Sequence, residues 1–170
     1  YQFIKDSEGI TTINPNTNFG PFTPEEFQSS INSGSVFISY LGHSGTQTWD
    51  NSITQPVQLK NKTNRNPLIS DFGCSTARFA EPDITSFSQL FVLDNDGQAI
   101  GYIGNSSLGF LSTSLAAPKI FYKKILVDSI YNISEAHKQT KLEMLQTYGS
   151  SGVYQLFALT NTFIGDPIVN

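Results

Sequence analysis

Two apolar runs that each end in a glycine followed by a reactive side chain constrain this chain most. Val36–Leu41 leads into Gly42, His43, Ser44 and Gly45, and Pro67–Phe72 leads into Gly73 and Cys74. Val36–Leu41 is apolar at nearly every position. A strand of that kind has both faces buried, as in a parallel sheet covered by helices. Leu68–Phe72 reads as a second buried strand, and Gln98–Ile103 as a third that breaks at Gly104, Asn105, Ser106 and Ser107. In open parallel sheets, ligands bind beyond the carboxyl ends of the strands. The chain has one cysteine and two histidines, and the cysteine and one histidine sit at such ends. Cys74 lies 31 positions after His43, an interval that suits a strand–helix–strand crossover joining neighbouring strands.

The intervening segments complete an α/β reading. Thr23 caps, Pro24 at the first helical position and Glu26 in a capping box predict a helix to about Asn32. A short helix is expected near Val57–Asn61, and another over Ser86–Leu93, stopped by Asp94–Gly97. Helical spacing predicts a longer helix over Ala116–Tyr131 and a second over Glu135–Tyr148 capped by Ser134. Val153–Leu159 fits helix or strand. Strands alternating with helices argue for a three-layer α/β/α sandwich with a mainly parallel sheet, one domain over residues 1–170. Both ends read as cut, so the expectation is a piece excised from a larger protein.

Several function classes fall away. Net charge is −4 and no Lys/Arg cluster interleaves with aromatics, which disfavours nucleic acid. No run of about 18 apolar residues predicts a transmembrane helix. One cysteine allows no internal disulfide and no cysteine-based zinc site. No Asp-rich loop marks a calcium site, and no cofactor is expected.

The strand ends also offer thiol chemistry. A thiol becomes a useful nucleophile when a nearby imidazole takes its proton, which makes Cys74 a candidate nucleophile and His43 a candidate base. Gly42 and Gly45 bracket the histidine, and Gly73 permits a sharp exit from the second strand. The backbone N–H groups of Cys74 and of Ser44 or Gly45 are the candidate oxyanion hole. The competing readings are a buried small hydrophobe for Cys74 and a polar loop residue for His43. Asp71, inside a buried strand, reads as a hydrogen-bonded structural carboxylate. His137, beside Lys138 on a helix, is expected in solvent.

Phe37–Gly45, Trp49, Phe72–Phe79 and the closing Phe163–Pro167 together resemble the gingipain-type family of cysteine peptidases. In that family an apolar strand ends in Gly-His-Gly, a tryptophan follows, a second strand ends at the catalytic cysteine, and Gly-Asp-Pro closes the domain. The resemblance covers most of the chain. It implies a caspase-like fold, here the catalytic subdomain, with His43 as general base and acid and Cys74 as nucleophile. Asn105, Ser106, Ser107 and Phe110 would wall the substrate pocket, and Trp49 would line the cleft or pack beneath the histidine loop. Ser44 departs from the pattern, standing where the family usually has glycine. The family's histidine-orienting carboxylate lies upstream of this chain, with Asp50 the nearest local substitute. The implied function is a cysteine endopeptidase acting through an acyl-enzyme. The implied partners are a peptide or protein substrate and an upstream subdomain of the same parent. The implied setting is a secreted or cell-surface bacterial protein of type IX secretion. A sortase-like transpeptidase and a non-catalytic domain on a peptidase fold are the alternatives.

Overall fold

In a computed structural model the described residues are 2–4, 17–19, 35–49, 53–59, 66–95, 97–150 and 152–167. Strands β1 (Gln2–Ile4) and β2 (Thr17–Phe19) pair in parallel. The expected helix from Thr23 to Asn32 lies outside the described residues. The central sheet is built from β3 (Phe37–Tyr40), β6 (Leu68–Asp71), β7 (Gly101–Asn105) and β8 (Asn161–Gly165), in that order. β3, β6 and β7 run parallel, and β8 adds an antiparallel edge. Between β3 and β6 a small hairpin forms from β4 (Ser44–Gly45) and β5 (Thr48–Trp49). A 3-10 turn follows at Pro56–Leu59, overlapping the short helix expected near Val57–Asn61, whose end lies outside the described residues.

Alternation along the strands assigns the two faces, because successive strand side chains point to opposite sides. Leu68 and Ile103 face α2 (Leu111–Leu126), α3 (Ile133–Tyr148) and α4 (Gly152–Thr160), packing with Phe121, Ile125, Ile133, Met144 and Phe157. Ile69 and Tyr102 face the other way, onto Trp49, Ile53 and the Phe87 and Phe91 rings of α1 (Phe87–Val92). Each large buried side chain of this kind contributes about 1.5–3 kcal/mol. The result is the expected three-layer α/β/α sandwich.

Several boundaries differ from the sequence reading. β3 is an edge of the described sheet, not a doubly buried strand, and Val36 and Leu41 at its ends are 72% and 51% exposed. β7 continues through Gly104 and Asn105 because β8 supplies partners there, Thr162 and Asn161. The first long helix begins five residues earlier than expected, with Pro118 inside it. Pro118 has no N–H to give to the preceding turn, but the stripe of Ala117, Phe121 and Ile125 packs onto the sheet and carries the helix through. The cap of α3 is Asn132, whose side chain accepts from the Glu135 N–H at 2.9 Å. Ser134 instead donates to Asn132 Oδ1 and to the Pro167 carbonyl, both at 2.8 Å. The segment around Val153–Leu159 is helical, within α4.

His137 is buried, at 7% exposure, rather than in solvent. It lies on the inner face of α3 with Ala136, Thr140 and Met144, and its Nε2 meets Asn161 Oδ1 at 2.7 Å. Burial, with the nearby Lys141 charge adding to it, lowers its pKa to about 4. The folded state therefore binds this proton less readily than the unfolded chain, whose histidine titrates near 6.5. Stability should be fully present above pH 6.5 and fall as the pH drops towards 4, by an amount on the order of 3 kcal/mol. Urea unfolding at pH 7 and pH 4.5 checks this: the wild type should lose more stability between the two than His137→Gln, which has no proton to gain.

Candidate active site

The register of β3 on β6 pairs Tyr40 with Asp71, so both strands end at one level and their loops emerge side by side. The Phe72 N–H still reaches the Tyr40 carbonyl at 3.4 Å. Three residues beyond Tyr40 and Asp71 come His43 in one loop and Cys74 in the other. Ser44 joins the loops directly, its Oγ donating to the Cys74 carbonyl at 2.9 Å. His43 is exposed and Cys74 half-buried.

The histidine loop is held from below. The Tyr40 ring stacks on Trp49, centroids 4.8 Å apart and planes 6° from parallel, and its hydroxyl donates to the His43 carbonyl at 2.6 Å. A Cβ on Gly42 would lie 2.6 Å from that hydroxyl, so the close approach requires glycine. The hairpin turn is tied to the start of α1, where the Phe87 N–H donates to the Thr46 carbonyl at 2.7 Å.

The cysteine loop is held more tightly still. Asp71 is fully buried and accepts four hydrogen bonds: from Gly73 N–H at 2.7 Å, Trp49 Nε1 and Thr76 Oγ1 at 2.8 Å, and the Tyr102 hydroxyl at 2.9 Å. Burial holds its carboxyl above the usual carboxylate range, against the pull of the four donors. Burial, reinforced by the Asp71 charge, pushes the Tyr102 phenol well above its usual range. After Cys74 the chain turns through Ser75 in the left-handed region, at φ 61°, a conformation that costs a non-glycine residue about 1 kcal/mol or more. The turn is then stitched to the end of β7 by Ser75 N–H to the Ser107 carbonyl at 2.9 Å and Ala77 N–H to the Asn105 carbonyl at 3.0 Å.

The thiol lies against Gly109. Cys74 Sγ accepts from the Gly109 N–H at 3.3 Å and approaches the Gly109 carbonyl at 3.7 Å. A Cβ on Gly109 would meet the Gly73 carbonyl oxygen at 2.5 Å, which is backbone that cannot swing aside. Gly109→Ala should therefore displace the Gly73–Cys74 segment and destabilise the fold by about 1–3 kcal/mol. A thermal melt measures the cost.

The expected pocket residues divide. Ser106 and Ser107 are half-buried at the end of β7, with Ser106 Oγ donating to the Thr160 carbonyl at 3.0 Å. Phe110 is half-buried at the N-terminal boundary of α2. Trp49 takes the second of its two expected placements, packed beneath the histidine loop at 0% exposure, and Asn105 lies beneath the site instead of on its wall, at 1%. The indole N–H of Trp49 is turned inward to Asp71, and the Asn105 amide donates to the Gly73 carbonyl at 2.6 Å. Neither has surface to offer a substrate. Ser44 and Gly45 form one end of the hairpin beside Cys74. Asp50 lies outside the described residues. Gly109, between Leu108 and Phe110 in the loop expected to wall the pocket, meets the thiol through its backbone N–H, a contact no local sequence pattern announces. Among the described residues no group of three His, Cys, Asp or Glu side chains is placed to hold a metal.

An α/β sandwich that brings one thiol and one imidazole to the carboxyl ends of adjacent parallel strands has the layout of a caspase-like thiol hydrolase. The chain belongs to peptidase family C25, whose sequence profile matches residues 4–170. No curated protein matches it. Among solved structures, the complex of Porphyromonas gingivalis RgpB pro- and mature domains superposes with a TM-score of 0.76 at 16% identity, over 90% of this chain and 38% of that one. The Arg-specific cysteine proteinase gingipain R gives 0.76 at 19% identity, over 90% of this chain and 37% of that one. A third structure, described as a protease, gives 0.68 at 18% identity, over 90% of this chain and 39% of that one. These likenesses establish the caspase-like fold. The chain spans less than two fifths of the length of the chains it matches.

Proposed function

We propose that this chain supplies the catalytic subdomain of a cysteine endopeptidase, with Cys74 as nucleophile and His43 as general base and acid. The observation that carries the reading is the joining of the two strand-end loops, register-matched through Tyr40 and Asp71 and tied by the Ser44–Cys74 hydrogen bond. His43 takes the thiol proton as Cys74 Sγ attacks the scissile carbonyl carbon. The N–H of Cys74, with that of Ser44 or Gly45, holds the oxyanion. His43 then returns the proton to the leaving amine, and water attacks the acyl-enzyme to release the acid and regenerate the thiol. The sequence needs no cofactor.

The pocket beside the thiol is formed by Ser106, Ser107, Leu108 and Phe110, and the substrate is a peptide or protein. An upstream subdomain of a longer parent completes the enzyme and provides the carboxylate that orients His43. The parent acts outside the cell or at the bacterial surface, exported by the type IX route. No helix among the described residues is long and apolar enough to cross a membrane. The test compares the full-length protein with its Cys74→Ala variant on a peptide library. Cleavage by the wild type alone supports the reading, and equal cleavage by both contradicts it.

A further inference from the structure

Behind the cysteine loop runs a chain of buried amides that ends on a histidine. Asn105 on β7 donates its Nδ2 proton to the Gly73 carbonyl at 2.6 Å. Its Oδ1 accepts from Asn161 Nδ2 on β8 at 2.8 Å. Asn161 Oδ1 meets His137 Nε2 on α3 at 2.7 Å. Asn105, Asn161 and His137 are all buried. The directions are forced. Asn161 gives its amide proton to Asn105, so its oxygen accepts, and Nε2 of His137 must carry the proton. Three hydrogen bonds thus point head to tail from His137 to the Gly73 oxygen, an arrangement in which each bond polarises the next.

The end of this chain is the peptide that joins Gly73 to Cys74. That peptide is trans, so its C=O and N–H point in opposite directions. Asn105 draws the oxygen into the interior, and the Cys74 N–H is turned the other way. Asp71 holds the other side of Gly73 through its N–H. We infer that His137, Asn161 and Asn105 are positioning residues that orient and polarise the Gly73–Cys74 peptide, so that the Cys74 N–H is aimed and strengthened as an oxyanion donor. The inference rests on the proposed peptidase reading for its catalytic consequence, but the orientation of the peptide can be measured without turnover.

Labelling glycine with carbonyl ¹³C and cysteine with ¹⁵N picks out the Gly-Cys peptide. Cys74 is the one cysteine of this chain, and loss of the peak in Cys74→Ala assigns it. In the full-length protein the Gly73 carbonyl resonance should move upfield in His137→Phe, which removes the first donor. It should return towards the wild-type position in His137→Gln, whose amide N–H can replace the ring N–H. On a peptide substrate, kcat should fall roughly 10-fold in His137→Phe and roughly 100-fold in Asn105→Asp, with KM little changed. His137→Gln should recover most of the loss. Alkylation of Cys74 by iodoacetamide, which builds no oxyanion, should stay within about twofold of wild type. A folded His137→Phe protein whose Gly73 resonance does not move overturns the inference, as does a rise in KM at constant kcat. If His137→Phe does not fold, Asn105→Asp decides the same question by the same resonance. A wild type with no turnover refutes the peptidase reading instead, and the resonance still decides the relay.

Discussion

Asp71→Ala is expected to destabilise the protein by about 4 kcal/mol or more. The carboxylate is the common acceptor for four donors from three separate places in the chain: Trp49 in the hairpin, Gly73 and Thr76 in the cysteine loop, and Tyr102 on β7. Trp49, Thr76 and Tyr102 are fully buried, so water cannot replace the lost acceptor without opening the core. Each buried donor left unpaired costs about 1–3 kcal/mol; the indole N–H can still donate to the Tyr102 oxygen at 3.1 Å, but the indole has no acceptor to take the Tyr102 proton in return. A domain of ordinary stability, about 5–15 kcal/mol, would lose a large share of it. Asp71→Asn should cost less. Its remaining oxygen can serve the three donors on Oδ2, but its NH₂ then faces the Gly73 N–H. Denaturant unfolding orders the variants: wild type, then Asn, then Ala. Equal stability of wild type and Ala would show that the hub does not hold the cysteine loop to the sheet.

The largest effect on activity is expected at the two strand ends. Cys74→Ala should remove turnover to background, because no other thiol in this chain can form the acyl-enzyme. His43→Ala should lower kcat by roughly 10²–10⁴-fold, the usual contribution of a positioned general base, while KM changes little because the imidazole acts on the proton rather than on substrate binding. Ser44→Ala separates geometry from chemistry. It keeps every backbone N–H but removes the hydroxyl bond to the Cys74 carbonyl, so a smaller fall than His43→Ala is expected. If His43→Ala retained wild-type kcat, the imidazole would have no part in proton transfer.

The strand ends were readable from the chain because apolar runs closed by glycine are local signals, and the spacing between them suited adjacent strands. Apolar character alone could not show which strand lies at an edge, and so β3 was read as doubly buried. Gly104, Asn105, Ser106 and Ser107 have the composition of a turn, yet Gly104 and Asn105 are strand because Thr162 and Asn161 pair opposite them from far along the chain. His137 beside Lys138 reads as a solvated pair. Its buried partner Asn161 is 24 residues away, and no local pattern announces such a bond. Trp49 packs beneath the histidine loop, one of its two expected placements, whereas Asn105, expected on the pocket wall, is buried behind the cysteine loop, because side-chain direction depends on partners that only the folded sheet supplies. Ser44 is legible as a departure from Gly-His-Gly and as a candidate oxyanion N–H, but nothing local shows that its hydroxyl is the bond between the two loops.

The most direct measurement is the mass of the full-length protein quenched with acid during turnover of a peptide ester. The expected result is an added acyl group that maps to Cys74, is absent from Cys74→Ala, and accumulates more slowly in His43→Ala. Turnover that proceeds with no adduct on Cys74, at the same rate in wild type and Cys74→Ala, would contradict it.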